Sequence, residues 1–337
     1  MKSRISRRPT HGRVTAQDVA DRAGVSLTTV SRAFRPDLPV SKKTRALVQN
    51  AASELQYAPN MAARALAGRR SHLIGLLVNN FDDPENLELF RFVSAEAQKR
   101  GYHALLLNIA QEGQQVESVD AALQYQVDGL LVSASRLPES LVQRSAELEK
   151  PIVIVGRRTR RTEYSAIYCD NFAGAAAVAD YLYQENYRRP AFIGGRADAT
   201  VVKERAAGFV RQVEKLYGFQ PLTRMAGAND YENGLRVVSE LLDLPKAPDS
   251  FFCSSDLLAI AASDAISRHG FEVVPKVVGF GGTLLSRLAA YNFPTVQMPF
   301  ETMVSAATSH LVDLVENIET GPREMVFPCE LVFGLNR

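Results

Sequence analysis

The 337-residue chain is 46% hydrophobic and carries a formal net charge of only +2. That length is enough for two or three domains, each with its own buried core. No run of about 18 uncharged apolar residues occurs, so the chain is expected to be cytoplasmic, with neither a membrane span nor a secretory signal.

The near-neutral total hides a division. Residues 1–72 hold 14 Lys and Arg against 4 Asp and Glu, a net +10, and the remainder is net −8. Positive charge gathered at one end suits a polyanionic partner. Cys169, Cys253 and Cys329 are odd in number and far apart, which argues against a disulfide framework or a cysteine metal site.

The leader MKSRISRRPTHGR, with Lys2, Arg4, Arg7, Arg8 and Arg13, is expected to be disordered alone and to touch phosphates when nucleic acid is present. Thr15 to Ala23 then sets Val19, Ala20 and Ala23 at helical spacing, with Thr15 as N-cap and Asp18 as its capping-box partner. Gly24 supplies the positive φ of a tight turn, Val25 plugs the angle, and Ser26 caps a second helix from Leu27 to about Phe34. This is a helix-turn-helix.

In the second helix Val30, Ala33 and Phe34 point inward, leaving Leu27, Thr28, Ser31 and Arg32 outside or along the margins. Such a helix fits the major groove, where Arg32 can pair with guanine; the alternative is a surface ion pair on an ordinary helical hairpin. Ser41 caps a third helix, Lys42 to about Leu55, whose Leu47, Val48, Ala51, Ala52 and Leu55 make an inward stripe. After Tyr57-Ala58-Pro59-Asn60, the run MAARALAGRRS predicts one more short helix ending near Gly68.

The stretches TAQDVADRAGVSLTTVSRAF and VSKKTRALVQNAASELQYAPNMAARALAG closely resemble the DNA-binding head and hinge of the LacI/GalR family of bacterial transcription regulators. The resemblance implies that Leu27, Thr28 and Arg32 face bases, while Thr15, Ser26, Thr29, Ser31 and nearby backbone hold phosphates. Asn60 and Ala63 match the hinge helix, and Leu66 matches a leucine that wedges between base pairs, a role compatible with plain packing between paired hinge helices. Two hinge helices need two chains, so the expected assembly is a homodimer on a pseudo-palindromic operator of double-stranded DNA. The boundaries that follow are a head over 1–59, a hinge over 60–71 and a two-lobed domain over 72–337.

From His72 onward apolar runs alternate with amphipathic segments. LIGLLVN, YHALLLNI, GLLVSA, PIVIVG, AFIGG, SFFCSS and VVGFGG predict buried parallel strands, with helices near 86–100, 171–186, 199–217, 230–243 and 256–269. The fold class is therefore a small all-α helix-turn-helix head plus an α/β core, with ligands expected at the carboxyl ends of the strands. The order of segments from 73 to about 334 resembles the family's two-lobed, periplasmic-binding-protein-like core, which implies a small-molecule effector in an interlobe cleft.

By position, the resemblance makes Arg205 in KERAAGF the residue that grips effector hydroxyls or a carboxylate, and Tyr231 in NDYENG the aromatic that stacks on it; a salt bridge and plain packing are their alternatives. Ser255 and Gly281 stand where the family often has polar or acidic ligands for neutral sugars. Arg157, Arg158, Arg160 and Arg161 follow a strand exit, which suits an anionic effector such as a sugar acid, gripped by Arg157; the alternative, for at least two of the four, is a solvated arginine on the lobe surface. NNFDDPEN reads as a solvated loop opening a helix, with Phe81 as a ring lining the cleft.

The five histidines are scattered and no P-loop, GxSxG or HExxH motif occurs, so no catalytic residue, metal or cofactor is expected. The combined reading is a dimeric, effector-controlled transcription regulator, most naturally a repressor. A solute-binding receptor or a sugar-processing enzyme would use the same cleft but has no need of a cationic head.

Overall fold

The computed structural model describes residues 14–34, 38–58, 70–78, 83–108, 124–133 and 139–334. The chain divides into two compact units, 1–71 and 72–337.

In the first unit the described residues form α1 (Ala16–Ala23), α2 (Leu27–Ala33) and α3 (Lys42–Glu54). Val19, Ala20, Val30, Ala33, Val48, Ala51 and Ala52 form its core, with Val25, Phe34, Leu55 and Tyr57 packed against them. Leu47 is the exception to the expected stripe: it is 45% exposed. Successive helical residues lie about 100° apart, so the face that buries Val48, Ala51 and Ala52 turns Leu47 toward solvent.

The second unit is built on two sheets. The first has strand order β11-β5-β4-β3-β1-β2, from β1 (Leu73–Val78), β2 (His103–Asn108), β3 (Gly129–Val132), β4 (Ile152–Val155), β5 (Ser165–Cys169) and β11 (Glu324–Phe327). The second has order β12-β10-β9-β8-β6-β7, from β6 (Pro190–Gly194), β7 (Leu222–Met225), β8 (Ser250–Cys253), β9 (Lys276–Gly281), β10 (Thr295–Gln297) and β12 (Glu330–Val332). All pairings are parallel except that of β10 with β12. Central strands β3, β4, β5, β6 and β8 are buried along their whole length, as a sheet covered by helices on both faces requires.

Helices α4 (Pro84–Lys99), α5 (Glu139–Glu147) and α10 (Phe300–Val315) accompany the first sheet. The second carries α6 (Asn171–Gln184), α7 (Thr200–Tyr217), α8 (Tyr231–Leu242) and α9 (Asp256–His269). The chain crosses between lobes after β5, after β10 and between β11 and β12. Arg100 clamps α4 to α10 through Asp313 at 2.8 Å and Glu316 at 3.2 Å. Helices α6 and α7 approach so closely that a Cβ built on Gly208 would lie 2.2 Å from the Phe172 carbonyl oxygen.

Candidate nucleic-acid interface and effector cleft

The helix-turn-helix is fixed by short local bonds. Thr15 Oγ1 accepts from the Asp18 N–H at 3.4 Å while the Thr15 N–H donates to Asp18 Oδ2 at 2.8 Å, the capping box expected from the sequence. The Thr15 N–H, and the Thr15 hydroxyl at 2.7 Å, donate to Asp18 Oδ2 and hold that carboxyl below the usual range. Gly24 has φ 65°, and Ser26 Oγ caps α2 by accepting from the Thr29 N–H at 3.1 Å. Arg45 reaches back from α3 to the carbonyls of Ala33 and Leu38 at 2.6 and 3.2 Å, satisfying the carboxyl end of α2.

With Val30 and Ala33 buried, α2 turns Leu27, Thr28, Ser31 and Arg32 outward, and Leu27 is 48% exposed. Leu27 thus shares its exposed face with two hydroxyls and a guanidinium. Arg32 has no ion-pair or hydrogen-bond partner among the described residues, unlike Arg22, whose Nε donates to Glu54 Oε2 at 2.8 Å. Thr29 is half-buried and its hydroxyl pairs with Ser26 at 2.8 Å, so both are committed to the cap. Asn60, Ala63, Leu66 and Phe81 lie outside the described residues.

In the second unit the carboxyl ends of the strands enclose a cavity between the two lobes, and Asp83, Glu85, Arg157, Arg205, Asn229 and Ser255 are among its lining residues. Arg205 is 4% exposed, and each of its three guanidinium nitrogens makes a hydrogen bond. Nε donates to Asn171 Oδ1 at 2.9 Å, Nη1 to the Ser254 carbonyl at 2.6 Å and Nη2 to Met298 Sδ at 3.6 Å, with Phe280 stacked beneath at 3.7 Å. Asn171 and Met298 follow the crossovers after β5 and β10, so this one side chain ties the cavity wall to both.

Acidic residues enter from elements the sequence reading left in solvent. Asp83 caps α4: Oδ1 accepts from the Glu85 N–H at 3.0 Å and Oδ2 from Asn229 Nδ2 at 2.9 Å. Asn229 Oδ1 accepts from Ser255 Oγ at 2.5 Å, and Ser255 Oγ also caps α9 at 3.2 Å from the Leu258 N–H. A continuous chain of bonds thus crosses from the first lobe to the second. The described end of NNFDDPEN, residues 83–86, opens α4 as expected, and Asp83, Glu85 and Asn86 line the cleft rather than standing in solvent.

Asp256 takes Thr295 Oγ1 at 2.6 Å on Oδ1, and the Thr283 N–H and hydroxyl at 2.7 and 2.8 Å on Oδ2. Burial pushes the carboxyls of Asp83 and Asp256 up against the opposing effect of these bonds. It pushes that of Glu85 up to about 8. Gly281, at φ 135°, sits where a Cβ would come 2.9 Å from Glu85 Oε1 and 3.3 Å from Asp256 Oδ2. The acid that the chain lacks at 281 is thus replaced by carboxyls reaching in from α4 and α9.

Two expectations need correction. Tyr231 does not line the cavity: as the first residue of α8 it turns toward α9, where its hydroxyl donates to Asp264 Oδ2 at 2.8 Å, and Asn229 lines the wall instead. Of the four clustered arginines only Arg157 reaches the cavity, and burial lowers its pKa. Arg158 and Arg160 are exposed, and Arg161 faces Glu163 at 3.4 Å. The basic wall expected for an anionic effector is therefore offset by Asp83 and Glu85.

Residues 15–60 match the model of "Bacterial regulatory proteins, lacI family", and residues 71–332 match "Periplasmic binding proteins and sugar binding domain of LacI family". The HTH-type transcriptional repressor CytR of Escherichia coli (strain K12) is 29% identical over 323 residues, 94% of each chain. The HTH-type transcriptional repressor PurR of Escherichia coli O139:H28 is 28% identical over 317 residues, 92% of this chain and 93% of that one. Among solved structures, a complex of transcriptional regulator CelR with cellobiose has a TM-score of 0.71 at 28% identity, covering 95% of this chain and 98% of that one. The lac repressor dimer bound to operator and the anti-inducer ONPF reaches a TM-score of 0.83 at 24% identity over the same shares, a likeness of fold.

Proposed function

The chain belongs to the LacI family of bacterial regulatory proteins, and from that premise we propose that it is a cytoplasmic, homodimeric repressor whose operator affinity is set by a small molecule in the interlobe cleft. The observation that carries the reading is the outer face of α2, where Leu27, Thr28, Ser31 and Arg32 stand exposed on a helix whose start, and those of both neighbouring helices, are capped.

In this reading α2 enters the major groove. Arg32 meets guanine O6 and N7, Leu27 and Thr28 contact base edges, and Thr15, Ser26, Thr29 and Ser31 with nearby backbone hold phosphates. Asn60 and Ala63 belong to a hinge that pairs with its copy on a pseudo-palindromic site, and Leu66 wedges between base pairs there. Phe81, Arg157, Arg205, Ser255 and the backbone at Gly281 surround the effector. Because Arg205 bonds Asn171 and Met298 beside two of the crossovers, a ligand that changes its contacts changes how the lobes close. That is the differential interaction an allosteric ligand requires.

An enzyme would find one constellation in its favour: Ser165 Oγ lies 2.7 Å from His310 Nε2, and His310 Nδ1 lies 2.9 Å from Glu319 Oε2. Ser165 is 1% and His310 3% exposed, and Ser165 Oγ also accepts the Arg323 N–H at 3.0 Å. These bonds clamp α10 to β5, and the relatives are repressors rather than enzymes.

Selection of bound duplexes from a random pool by the full chain tests the proposal. Recovery of a two-fold-symmetric consensus is expected; a pool that stays random through successive rounds refutes it.

A further inference from the structure

We propose that Glu85 is the specificity-determining residue of the cleft, and that it selects an effector bearing a cationic nitrogen, an ammonium or protonated heterocycle, over neutral and anionic ligands of the same shape. This rests on the reading of the cavity as the effector site.

Glu85 lines the cavity, and its Oε1 is buried without a hydrogen-bond partner among the described residues. The other acids nearby are occupied: Asp83 by the Glu85 N–H and Asn229, Asp256 by Thr283 and Thr295. Glu85 therefore presents the acceptor that a ligand donor can fill, and a buried acceptor left unfilled is unfavourable.

The sign of the donor follows from the surrounding charges. Facing Glu85 are Asp83 from the cap of its own helix, Asp256 from α9, Cys169 from the end of β5 and Arg205 from α7. Arg205 gives three of its five N–H donors to Asn171, the Ser254 carbonyl and Met298, and the buried Arg157 lines the same cavity. Arg196, which also lines the cavity, is clasped by Asp198 at 2.8 Å. A ligand hydroxyl would complete the hydrogen bond yet gain nothing from Asp83 and Asp256. A ligand carboxylate could reach the guanidinium groups of Arg157 and Arg205 but would place its charge against Asp83, Glu85 and Asp256. A cation gains on both counts. Burial keeps the Glu85 proton on until about pH 8, so an ammonium that stays charged through that range displaces the proton and binds more tightly as pH rises toward 8.

The test uses the full chain, its selected duplex, and a bacterial metabolite extract split by ion exchange into cationic, neutral and anionic fractions. Operator affinity is read by fluorescence anisotropy, and bound mass by native mass spectrometry. The cationic fraction is expected to change operator affinity at least fivefold, to leave a bound mass on the protein, and to act more strongly at pH 7.5 than at 6.0. Glu85→Gln, with operator binding intact in the absence of extract, is expected to lose that response, and Glu85→Asp to keep part of it. If Glu85→Gln fails to bind operator, the Glu85→Asp response and the choice of fraction by wild type still decide. A response from the neutral or anionic fraction alone, or an undiminished one in Glu85→Gln, overturns the inference and leaves effector control standing. No response to any fraction overturns both.

Discussion

Arg32 and Glu85 each leave chemistry open among the described residues, Arg32 as an exposed cation on the outer face of α2 and Glu85 through a buried Oε1 with no hydrogen-bond donor. Arg32→Ala is expected to cost about 1–3 kcal/mol at the matched operator and to relax base preference at one position of each half-site, measured by anisotropy on single-base variants. An equal loss on random duplex would reduce Arg32 to a phosphate contact.

For Glu85 the folded carboxyl titrates near 8 against 4.5 for the unfolded reference, so the folded chain holds the extra proton between those values. Stability without ligand therefore falls as pH rises through that window. Glu85→Gln removes the penalty, and its melting temperature is expected to exceed that of wild type by about 3 °C at pH 8.5 and to converge with it at pH 5.

Legibility at this scale followed the motif. Arg157, Arg205 and Ser255 were placed in the cleft by position, and all three line it. Asp83 and Glu85 were not, because an acidic pair before proline looks the same in a solvated loop as at a helix start over a ligand. Only the strand order shows that this helix opens onto the cavity.

Among the elements, those whose ends carry chemical punctuation were legible. Thr15, Ser26 and Ser41 cap helices as their residue types demand, with Thr44 N–H to Ser41 Oγ at 3.0 Å completing the third. The strands that escaped notice are short or lie at edges. β7 and β11 alternate between exposed and half-buried residues, β10 and β12 have three residues each, and β5, though fully buried, begins after a run of arginines and threonine that reads as loop. Without β5, β10, β11 and β12 the three crossovers are invisible, and with them the place of Arg205 beside two of them.

Element packing makes its own prediction at Gly208, where α7 lies against the start of α6. Gly208→Ala puts a methyl into backbone rather than a movable side chain, so the helices must separate; a loss of about 3 kcal/mol in urea unfolding is expected. A neutral result would mean that the two helices are free to slide.

At the scale of the molecule, a net +10 head is joined to a net −8 body. The head's attraction for phosphate is relieved by counterion release, so operator affinity is expected to fall by about 10³-fold or more between roughly 50 and 200 mM salt. The body contributes no such slope. Its part is selection of a metabolite, expressed through the crossovers beside Arg205.

The measurement that bears most directly on this division of labour is the ratio of dissociation constants, at one fixed salt concentration, for the selected duplex and a scrambled duplex of equal length and composition. A ratio of about 10³ or greater is predicted for the full chain. Equal affinity for the two duplexes would contradict the account, leaving α2 a charged surface rather than a reader of sequence.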